Sequence, residues 1–474
     1  MTSIATDRAI GVVGAGTMGG GIAQVAAAAG HPVRLFDAVA GAADAGKARI
    51  AEGLAKVVAR GKMTAAARDA LLGRIETVAA LDAMADAALV LEAIVEDLDA
   101  KRQLFTALEE IVGPDVLLAT NTSSLSVTAI ARPLARPERL IGLHFFNPAP
   151  IMKLVEVISG VATAPTVAAT AYATAEAWGK IAVHAKSTPG FIVNRVARPY
   201  YAEALRLYEE QVADPATLDA LLTEGAGFRM GPFALMDLIG HDVNYAVCRS
   251  VFDAFYQDPR FRPSITQLEL VNAGRLGRKT GQGVYSYAAG AAPPRPATLT
   301  GPSDAPPIPG FDPAREMEVD GVLVTSTDGR TAARLARARG TPVVVCDLIT
   351  PETGRRLGFA TSPDVPDAVV HRLRTSLDAL GIVATRLPDW PGLVVMRTIA
   401  MLANEGFEAV MQGVADEAGV DAAMRSGVNY PKGPIGWGRE IGLGRVLATL
   451  DHIHAVTGDP RYRASMALRF AAEA

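Results

Sequence analysis

The chain has 474 residues, too many for one ordinary hydrophobic core, and its length favours about three domains. Half of the residues are apolar and a fifth are charged, which is a globular composition. The net charge is −4, with acids and bases mixed along the chain, so no basic run indicates a nucleic-acid partner.

The two cysteines, Cys248 and Cys346, lie far apart, so we expect neither a disulfide framework nor a metal site, and a reducing cytoplasm as the location. Residues 9–30 are uncharged and long enough to span a bilayer, but several are glycine, and we reject a membrane span. About eight residues precede the first strand and the chain ends in Ala-Glu-Ala, so we expect no signal peptide and no peroxisomal address.

Residues 9 to about 185 alternate between short apolar runs and helical patterns. Strands are predicted at 9–13, 32–36, 89–95, 116–120, 140–143 and 154–158, with a helix at 17–29. This rhythm is typical of a doubly wound, mostly parallel α/β sheet, which we assign to residues 1–187.

A dinucleotide-binding fingerprint opens the first helix, with the sequence Gly14-Ala15-Gly16-Thr17-Met18-Gly19. Gly14 permits a tight turn, Gly16 lets the backbone approach a pyrophosphate, and Gly19 allows close packing of helix and strand. Asp37 ends the second strand, where a carboxylate can hold the ribose hydroxyls and repel a 2′-phosphate. We therefore predict a Rossmann domain that prefers NAD to NADP; the alternative is a glycine-rich turn without a ligand.

His144 follows the predicted strand at 140–143, and open α/β sheets bind ligands at the carboxyl ends of their strands. An imidazole can accept a hydroxyl proton near neutral pH, although a lone histidine is more often structural. Glu156 lies on the next strand among apolar residues, where an unpaired carboxylate is costly. Pairing with Glu156 would fix the imidazole tautomer and stabilise the imidazolium. The alternative for Glu156 is a surface position on a half-exposed strand.

Two further polar groups follow predicted strands. After the strand at 116–120 comes Asn121-Thr122-Ser123-Ser124, where the Ser123 hydroxyl could bind a substrate oxygen, although helix capping is the simpler interpretation. Glu96 and Lys101 flank a helix start, and their simplest interpretation is a first-turn acid and a solvated lysine.

From Pro189 the pattern changes to amphipathic helices, and we assign residues 188–287 to a helical domain. Residues 288–315 are rich in proline, alanine and glycine and predict an extended linker. In residues 316–387 two strands flank a basic helix, which predicts a small βαβ unit without the phosphate-binding glycines.

Residues 388–474 repeat the first helical domain. At an offset of 202 positions, Pro189-Gly190 matches Pro391-Gly392, and the register then continues without a gap for over forty residues. Other matched pairs are Arg195/Arg397, Glu203/Glu405, Asp219/Asp421 and Gly225/Gly427. Asn194 is not repeated, because Met396 stands at its counterpart. We predict an α/β Rossmann domain followed by a duplicated all-α C-terminal domain.

Together these motifs resemble the L-3-hydroxyacyl-CoA dehydrogenase family of fatty-acid β-oxidation, which includes 3-hydroxybutyryl-CoA dehydrogenases. The resemblance covers residues 9 to about 290, and the repeat extends it to the C-terminus. The total length resembles the bacterial branch that acts on 3-hydroxyadipyl-CoA in phenylacetate breakdown.

The resemblance implies NAD-dependent oxidation of an (S)-3-hydroxyacyl-CoA to a 3-oxoacyl-CoA. It implies that His144 removes the C3 hydroxyl proton, that Glu156 pairs with it, and that Ser123 and Asn194 position the substrate. The residues implied to hold NAD, besides the fingerprint, are Asp37, Glu96, Lys101 and Asn121. Relatives contact coenzyme A through a serine and a basic residue; the corresponding positions here are Gly53, a departure, and Arg60.

Two other functions stay open: a β-hydroxyacid dehydrogenase acting on a free acid, and a non-catalytic NAD-binding relative. The first class uses a lysine for acid–base work, and the second needs no intact base, so the His144–Glu156 pair argues against both. In single-copy relatives the helical domain forms the dimer interface. We therefore expect the two copies to pack as an intramolecular pseudo-dimer, and a homo-oligomer stays open.

Overall fold

A computed structural model of the chain describes residues 2–301, 305–351 and 353–474. These described residues divide into two compact units. Unit 1 comprises the chain up to Asn194 together with Gly413–Val428, and unit 2 comprises Arg195–Gln412 together with Asn429–Ala474. No helix in the described ranges has the length and apolarity that crossing a bilayer would require.

An eight-stranded sheet forms the centre of unit 1 in the part that the structure describes, with strand order β3-β2-β1-β4-β5-β6-β7-β8. The strands are β1 (Ile10–Val13), β2 (Val33–Phe36), β3 (Ile75–Thr77), β4 (Leu89–Glu92), β5 (Leu117–Thr120), β6 (Leu140–Phe145), β7 (Leu154–Ser159) and β8 (Ile181–Lys186). Neighbours are parallel except β6 and β7, which are antiparallel. The predicted doubly wound, mostly parallel sheet is confirmed.

Helices connect these strands: α1 (Thr17–Ala28), α2 (Ala42–Ala59), α3 (Ala65–Gly73), α4 (Leu98–Ile111), α5 (Val127–Ala131) and α6 (Pro165–Ala177), and α7 (Val193–Val196) follows β8. Every residue of β1, β4 and β5 is buried, as expected for strands that pack on both faces.

β6 extends beyond the predicted end of its strand. It continues to Phe145, so the expectation that His144 follows the strand is wrong, and His144 lies within it. The physical reason is the antiparallel ladder with β7, which continues to this end of the strand. In that ladder His144 stands directly opposite Glu156.

Unit 1 also contains a helix from the second helical copy, α16 (Glu417–Gly427), which packs against β7 and β8. The backbone N–H of Lys186 donates to the carbonyl of Val414 at 2.9 Å. A Cβ at Gly427 would lie 2.6 Å from Leu154 Cδ2, so glycine lets the helix lie against β7 without displacing this side chain.

A second sheet forms part of unit 2, with strand order β13-β12-β11-β10-β9 among the described residues. The strands are β9 (Met317–Val319), β10 (Val322–Ser326), β11 (Val343–Cys346), β12 (Arg356–Thr361) and β13 (Val383–Arg386), with α13 (Ala332–Arg339) and α14 (Asp367–Ala379) between them. The predicted βαβ unit is present as β10, α13 and the parallel β11, but it belongs to a five-stranded sheet, so the duplicated C-terminal part is only partly helical. Short strands with polar residues and an internal glycine, as in β12, carry little pattern.

The second sheet repeats part of the first. β10 to β13 pair parallel, antiparallel and parallel, in the order of β5 to β8. β12 and β13 begin 202 positions after β7 and β8, which is the offset of the helical repeat. A Cβ at Gly225 would lie 2.9 Å from the carbonyl oxygen of Arg356 on β12, just as Gly427 approaches Leu154 on β7. The duplication thus includes four strands as well as the helices.

The helices of unit 2 comprise two sets. The first copy contains α8 (Arg198–Glu209), α9 (Pro215–Ala220), α10 (Pro232–Ile239), α11 (His241–Ala254) and α12 (Ile265–Asn272), and the second contains α15 (Val395–Met411), α17 (Pro434–Ile441), α18 (Leu443–Thr457) and α19 (Met466–Glu473). α8 and α15 are in contact.

Two buried ion pairs join α15 to the first copy reciprocally. Arg195 Nε donates to Glu405 Oε1 at 2.6 Å, and Arg397 Nε donates to Glu203 Oε2 at 2.8 Å. The two arginines are 202 positions apart, and so are the two glutamates, so each copy offers the same residues to the other. All four side chains are at most 3 % exposed.

The predicted linker, residues 288–315, contains no helix or strand in its described part, from which residues 302–304 are excluded. It is nevertheless held within unit 2. The backbone N–H groups of Ala297 and Leu299 donate to Thr217 Oγ1 and to the carbonyl of Ala384.

Candidate active site

The fingerprint loop joins β1 to α1, and its glycines meet the three geometric requirements. Gly14 has φ of +100°, and a Cβ there would lie 2.5 Å from the Ala93 carbonyl oxygen. A Cβ at Gly19 would lie 1.7 Å from the Gly14 carbonyl oxygen. By contrast, no described atom lies within 4 Å of the Cβ position at Gly16. Gly16 is the N-cap of α1, and the next two residues are exposed Thr17 and half-buried Met18. The free backbone N–H groups at this helix start therefore lie beside open space, which suits a pyrophosphate.

Asp37 follows β2 and is tied to the fingerprint loop. Its Oδ2 accepts a hydrogen bond from Ala15 N at 2.8 Å, and its Oδ1 accepts one from Val39 N at 2.9 Å. The carboxylate is half-buried and held beside the helix start, so it can receive ribose hydroxyls there.

Lys101 is fully buried, so its interpretation as a solvated lysine is wrong. Its Nζ lies 2.6 Å from Glu92 Oε1 and 3.2 Å from Glu96 Oε2. Sequence reasoning missed Glu92, which ends β4 and also accepts the Thr120 hydroxyl at 2.7 Å. The signal was available, because burying an acid within an apolar strand is costly unless a cation or hydrogen-bond donors compensate it.

One carboxylate oxygen of Glu96 accepts several hydrogen bonds from the polar turn that follows β5. Its Oε1 accepts from the Thr122 hydroxyl at 2.6 Å and from the backbone N–H groups of Ser123 at 2.9 Å and Ser124 at 3.0 Å. Burial alone would raise the pKa of Glu96, but the Thr122 hydrogen bond and the charge of Lys101 outweigh it and hold this pKa below its ordinary value. Glu96 is thus a fixed anion at the carboxyl edge of the sheet.

Ser123 does not cap a helix, because the residue that caps α5 is Ser126. The Ser123 side chain is half-buried, and its carbonyl accepts a hydrogen bond from Asn194 Nδ2 at 3.2 Å. Asn121 Oδ1 accepts from Phe145 N at 2.8 Å, which ties the end of β5 to the end of β6. The structure therefore brings Ser123, Asn194 and Asn121 to one edge of the sheet.

His144 and Glu156 form a buried hydrogen-bonded pair, with Nδ1 and Oε2 2.7 Å apart. Glu156 is fully buried, and its other oxygen accepts from Ile192 N at 3.0 Å and Val193 N at 2.9 Å, at the start of α7. Because the carboxylate accepts at Nδ1, this nitrogen holds the proton in the neutral ring and Nε2 is the basic atom. The centroid of the Phe146 ring lies 4.4 Å from that of the imidazole, and His144 is 6 % exposed.

No described hydrogen bond links the side chain of Arg60 to the other predicted site residues. Arg60 is the exposed residue that ends α2, and Gly53 on the same helix has no described atom within 4 Å of its Cβ position.

The second sheet holds a counterpart of this pair without a histidine. Gly358 on β12 corresponds to Glu156 on β7. The backbone N–H of Asp347, just after β11, donates to the carbonyl of Gly358 at 2.8 Å. The Asp347 carboxylate accepts the N–H groups of Val394, Val395 and Met396 at 2.8–3.0 Å, and so supports a helix start as Glu156 does. Burial raises the pKa of Asp347 despite these bonds. A carboxylate thus occupies the position that corresponds to His144.

Comparison with known proteins identifies the family. Residues 9–188 match the NAD-binding domain of 3-hydroxyacyl-CoA dehydrogenase, residues 190–287 and 392–474 match its C-terminal domain, and residues 324–391 match the 3-hydroxybutyryl-CoA dehydrogenase reduced Rossmann-fold domain.

Similar proteins agree with these matches. The chain is 46% identical over 98% of its length to 3-hydroxyadipyl-CoA dehydrogenase of Escherichia coli K12, covering 97% of that protein. A crystal structure of 3-hydroxybutyryl-CoA dehydrogenase from Escherichia coli K12 superposes with a TM-score of 0.95 at 46% identity, over 99% of both chains. The pig mitochondrial hydroxyacyl-coenzyme A dehydrogenase is 40% identical over 58% of this chain and 90% of its own. The resemblance read from the motifs is confirmed: the chain belongs to the 3-hydroxyacyl-CoA dehydrogenase family and is an NAD-dependent dehydrogenase.

Proposed function

We propose that the chain oxidises the C3 hydroxyl of an (S)-3-hydroxyacyl-CoA, with His144 Nε2 as the general base. The observation that carries this proposal is the buried His144–Glu156 pair, with Nδ1 committed to the carboxylate at 2.7 Å. A base held this way has one free nitrogen, one tautomer and a counter-charge for the imidazolium that forms.

In this mechanism the hydroxyl proton moves to His144 while the hydride leaves C3. Bound NAD supplies the hydride acceptor. Ser123 and Asn194 lie at the same sheet edge and position the hydroxyl and the thioester carbonyl by hydrogen bonds. Asp37 and the fingerprint loop hold the cofactor, with Glu96, Lys101 and Asn121 shaping its site. Arg60 contacts coenzyme A from the exposed end of α2.

For the acyl group, we infer a short chain. Similar proteins are named for 3-hydroxyadipyl-CoA and for 3-hydroxybutyryl-CoA, so these two thioesters are the candidates to compare. Steady-state kinetics with both, side by side, test the substrate and the reaction together. Turnover of a free 3-hydroxy acid in place of the thioesters would favour the β-hydroxyacid dehydrogenases, and no turnover would favour a non-catalytic protein. The two free, widely separated cysteines fit a reducing compartment such as the bacterial cytoplasm.

We further propose that the two helical copies form an intramolecular pseudo-dimer, in which the second copy is structural. The reciprocal Arg195–Glu405 and Arg397–Glu203 pairs support this arrangement, because a two-fold interface presents the same residues from both sides. The replacement of Asn194 by Met396 and of Glu156 by Gly358 supports a single active site.

Two measurements test the pseudo-dimer. We expect one NAD to bind per chain in a titration, and we expect truncation after residue 290 to expose the first copy and give aggregation or dimerisation. Two NAD sites, or a truncated chain that is monomeric and fully active, would contradict the proposal.

A further inference from the structure

The sheet around Glu156 is covered on its two faces by helices from different parts of the chain. On β7, Val155 and Val157 point to one face and share a core cluster with residues of α6. Side chains alternate along a strand, so Glu156 between them points to the opposite face. α16, a helix of the second copy, also packs on β7 and β8, and its contacts identify the face that it covers.

Two glycines let α16 lie close to the sheet. A Cβ at Gly419 would lie 3.0 Å from Val183 Cγ1, and a Cβ at Gly427 would lie 2.6 Å from Leu154 Cδ2. Val183 stands beside Glu156 in the parallel ladder of β7 and β8, and Leu154 precedes Glu156 by two positions on β7. Both side chains therefore point to the same face as Glu156. α16 thus covers the face of the sheet that holds the buried Glu156 carboxylate.

Gly427 also lies beside two groups that hold the proposed catalytic pair. Its Cβ position is 3.1 Å from Val193 Cγ2 and 3.7 Å from Phe146 Cε1. The backbone N–H of Val193 is one of the donors to Glu156, and the Phe146 ring lies against the imidazole of His144. A methyl group at position 427 would therefore press on Val193, and a larger side chain would press on Phe146 as well.

The first copy places its own equivalent of α16 on the other sheet. At the 202-residue offset, α16 corresponds to α9 and the turn Leu221–Gly225 that follows it, and this turn packs on β12. Gly225 there approaches the carbonyl oxygen of Arg356, but the residue of β12 that corresponds to Glu156 is Gly358. The two copies thus exchange helices between their sheets, and α16 is the one that covers a carboxylate paired with a histidine.

We propose that α16 completes the active site of the first copy, and that Gly427 is a positioning residue for the His144–Glu156 pair. The inference rests on the proposed function of this pair. Gly427 acts through Val193, whose N–H fixes the carboxylate, and through Phe146, which packs on the imidazole. The second copy then fixes the geometry of an active site to which it contributes no catalytic residue.

Kinetics of the full chain with 3-hydroxybutyryl-CoA test this role. G427A introduces the Cβ, and G427V fills more of the space beside Val193 and Phe146. Because a misplacement of about 1 Å can cost about 10²-fold in rate, we expect kcat to fall about 3- to 10-fold in G427A and about 10- to 100-fold in G427V. KM for NAD should stay nearly unchanged, since the fingerprint loop lies between β1 and α1, away from β7 in the strand order. A general loss of folded protein would not produce this split.

Three variants separate positioning from stability. G225A places a methyl group 2.9 Å from a backbone carbonyl oxygen at the corresponding position of the first copy, so it should lower Tm and keep kcat. A418V enlarges an exposed residue of α16 and should change neither quantity. L154V removes the atom nearest to the new methyl group, so the double variant L154V/G427A should recover most of the kcat that G427A loses.

The positioning role would be overturned if G427A and G427V both keep the kcat of the unaltered chain. It would also be overturned if G225A lowers kcat as much as G427A does, or if L154V recovers none of the activity. An unaltered chain that does not turn over the thioester would refute the proposed function itself, whereas turnover that is insensitive to substitution of Gly427 would refute only the positioning role.

Discussion

Replacing Glu156 with glutamine removes one negative charge from the imidazole of His144 while nearly preserving the shape of the side chain. The amide oxygen can still accept the N–H groups of Ile192 and Val193, so the start of α7 keeps its support. The amide NH2 then faces His144 Nδ1 and cannot accept its proton, so the tautomer of the imidazole is no longer fixed. Also lost is the attraction between the carboxylate and the imidazolium that forms if His144 takes the hydroxyl proton as we propose.

The size of this effect follows from the geometry. With Nδ1 and Oε2 2.7 Å apart, the charge centres lie about 4 Å apart, which corresponds to about 4 kcal/mol at an effective dielectric constant of about 20. At about 1.4 kcal/mol per tenfold change in rate, E156Q should lower kcat about 10³-fold. NADH binding, measured by fluorescence titration, should stay nearly unchanged, because Glu156 does not touch the fingerprint loop.

The chain contains a matched control for this experiment. Asp347 is also a buried carboxylate that supports a helix start, but its carboxylate has no histidine partner among the described residues. D347N should therefore lower stability while leaving kcat near that of the unaltered enzyme. The charge argument fails if E156Q keeps kcat within threefold, or if D347N loses as much activity as E156Q.

Three further predictions follow from other parts of the chain. D37A should relax the preference for NAD, measured as kcat/KM with NAD against NADP; an unchanged ratio would refute the role of Asp37. R397M should lower the free energy of unfolding by about 1.5–3 kcal/mol in urea, because Glu203 loses one charged hydrogen-bond donor but keeps Arg206, whereas R249M should change it little. Burial raises the pKa of Asp219 to about 6, so its folded form binds a proton more tightly than the unfolded chain. The stability that Asp219 contributes is therefore present at pH 4 and lost as the pH rises through about 6. The free energy of unfolding of D219N should lack this dependence on pH between 4 and 6. Equal slopes for D219N and the unaltered chain would refute the assignment.

Local patterns were enough to predict the catalytic half of the protein. A fingerprint glycine needs only the turn and helix around it, so Gly14 and Gly19 could be assigned from their spacing, and the structure gives each its steric reason. His144 and Glu156 could be paired because a carboxylate in an apolar strand demands a partner. The same argument would have predicted that Glu92 has a buried partner. That partner is Lys101, nine positions later, which the helical pattern alone places on an exposed helix face.

The family, the cofactor, the reaction class and the duplication of the helices could all be predicted from residue patterns, because each leaves a local or periodic signature. Which strands pair, and which helix packs on each sheet, became known only from the folded chain. β12 and β13 are too short and too polar to show a pattern, yet with β11 they repeat the ladder of β6 to β8. α16 packs on β7, and Gly225 packs on β12. In both cases the two segments lie more than a hundred residues apart in the chain, so the pattern of neither segment alone predicts the contact.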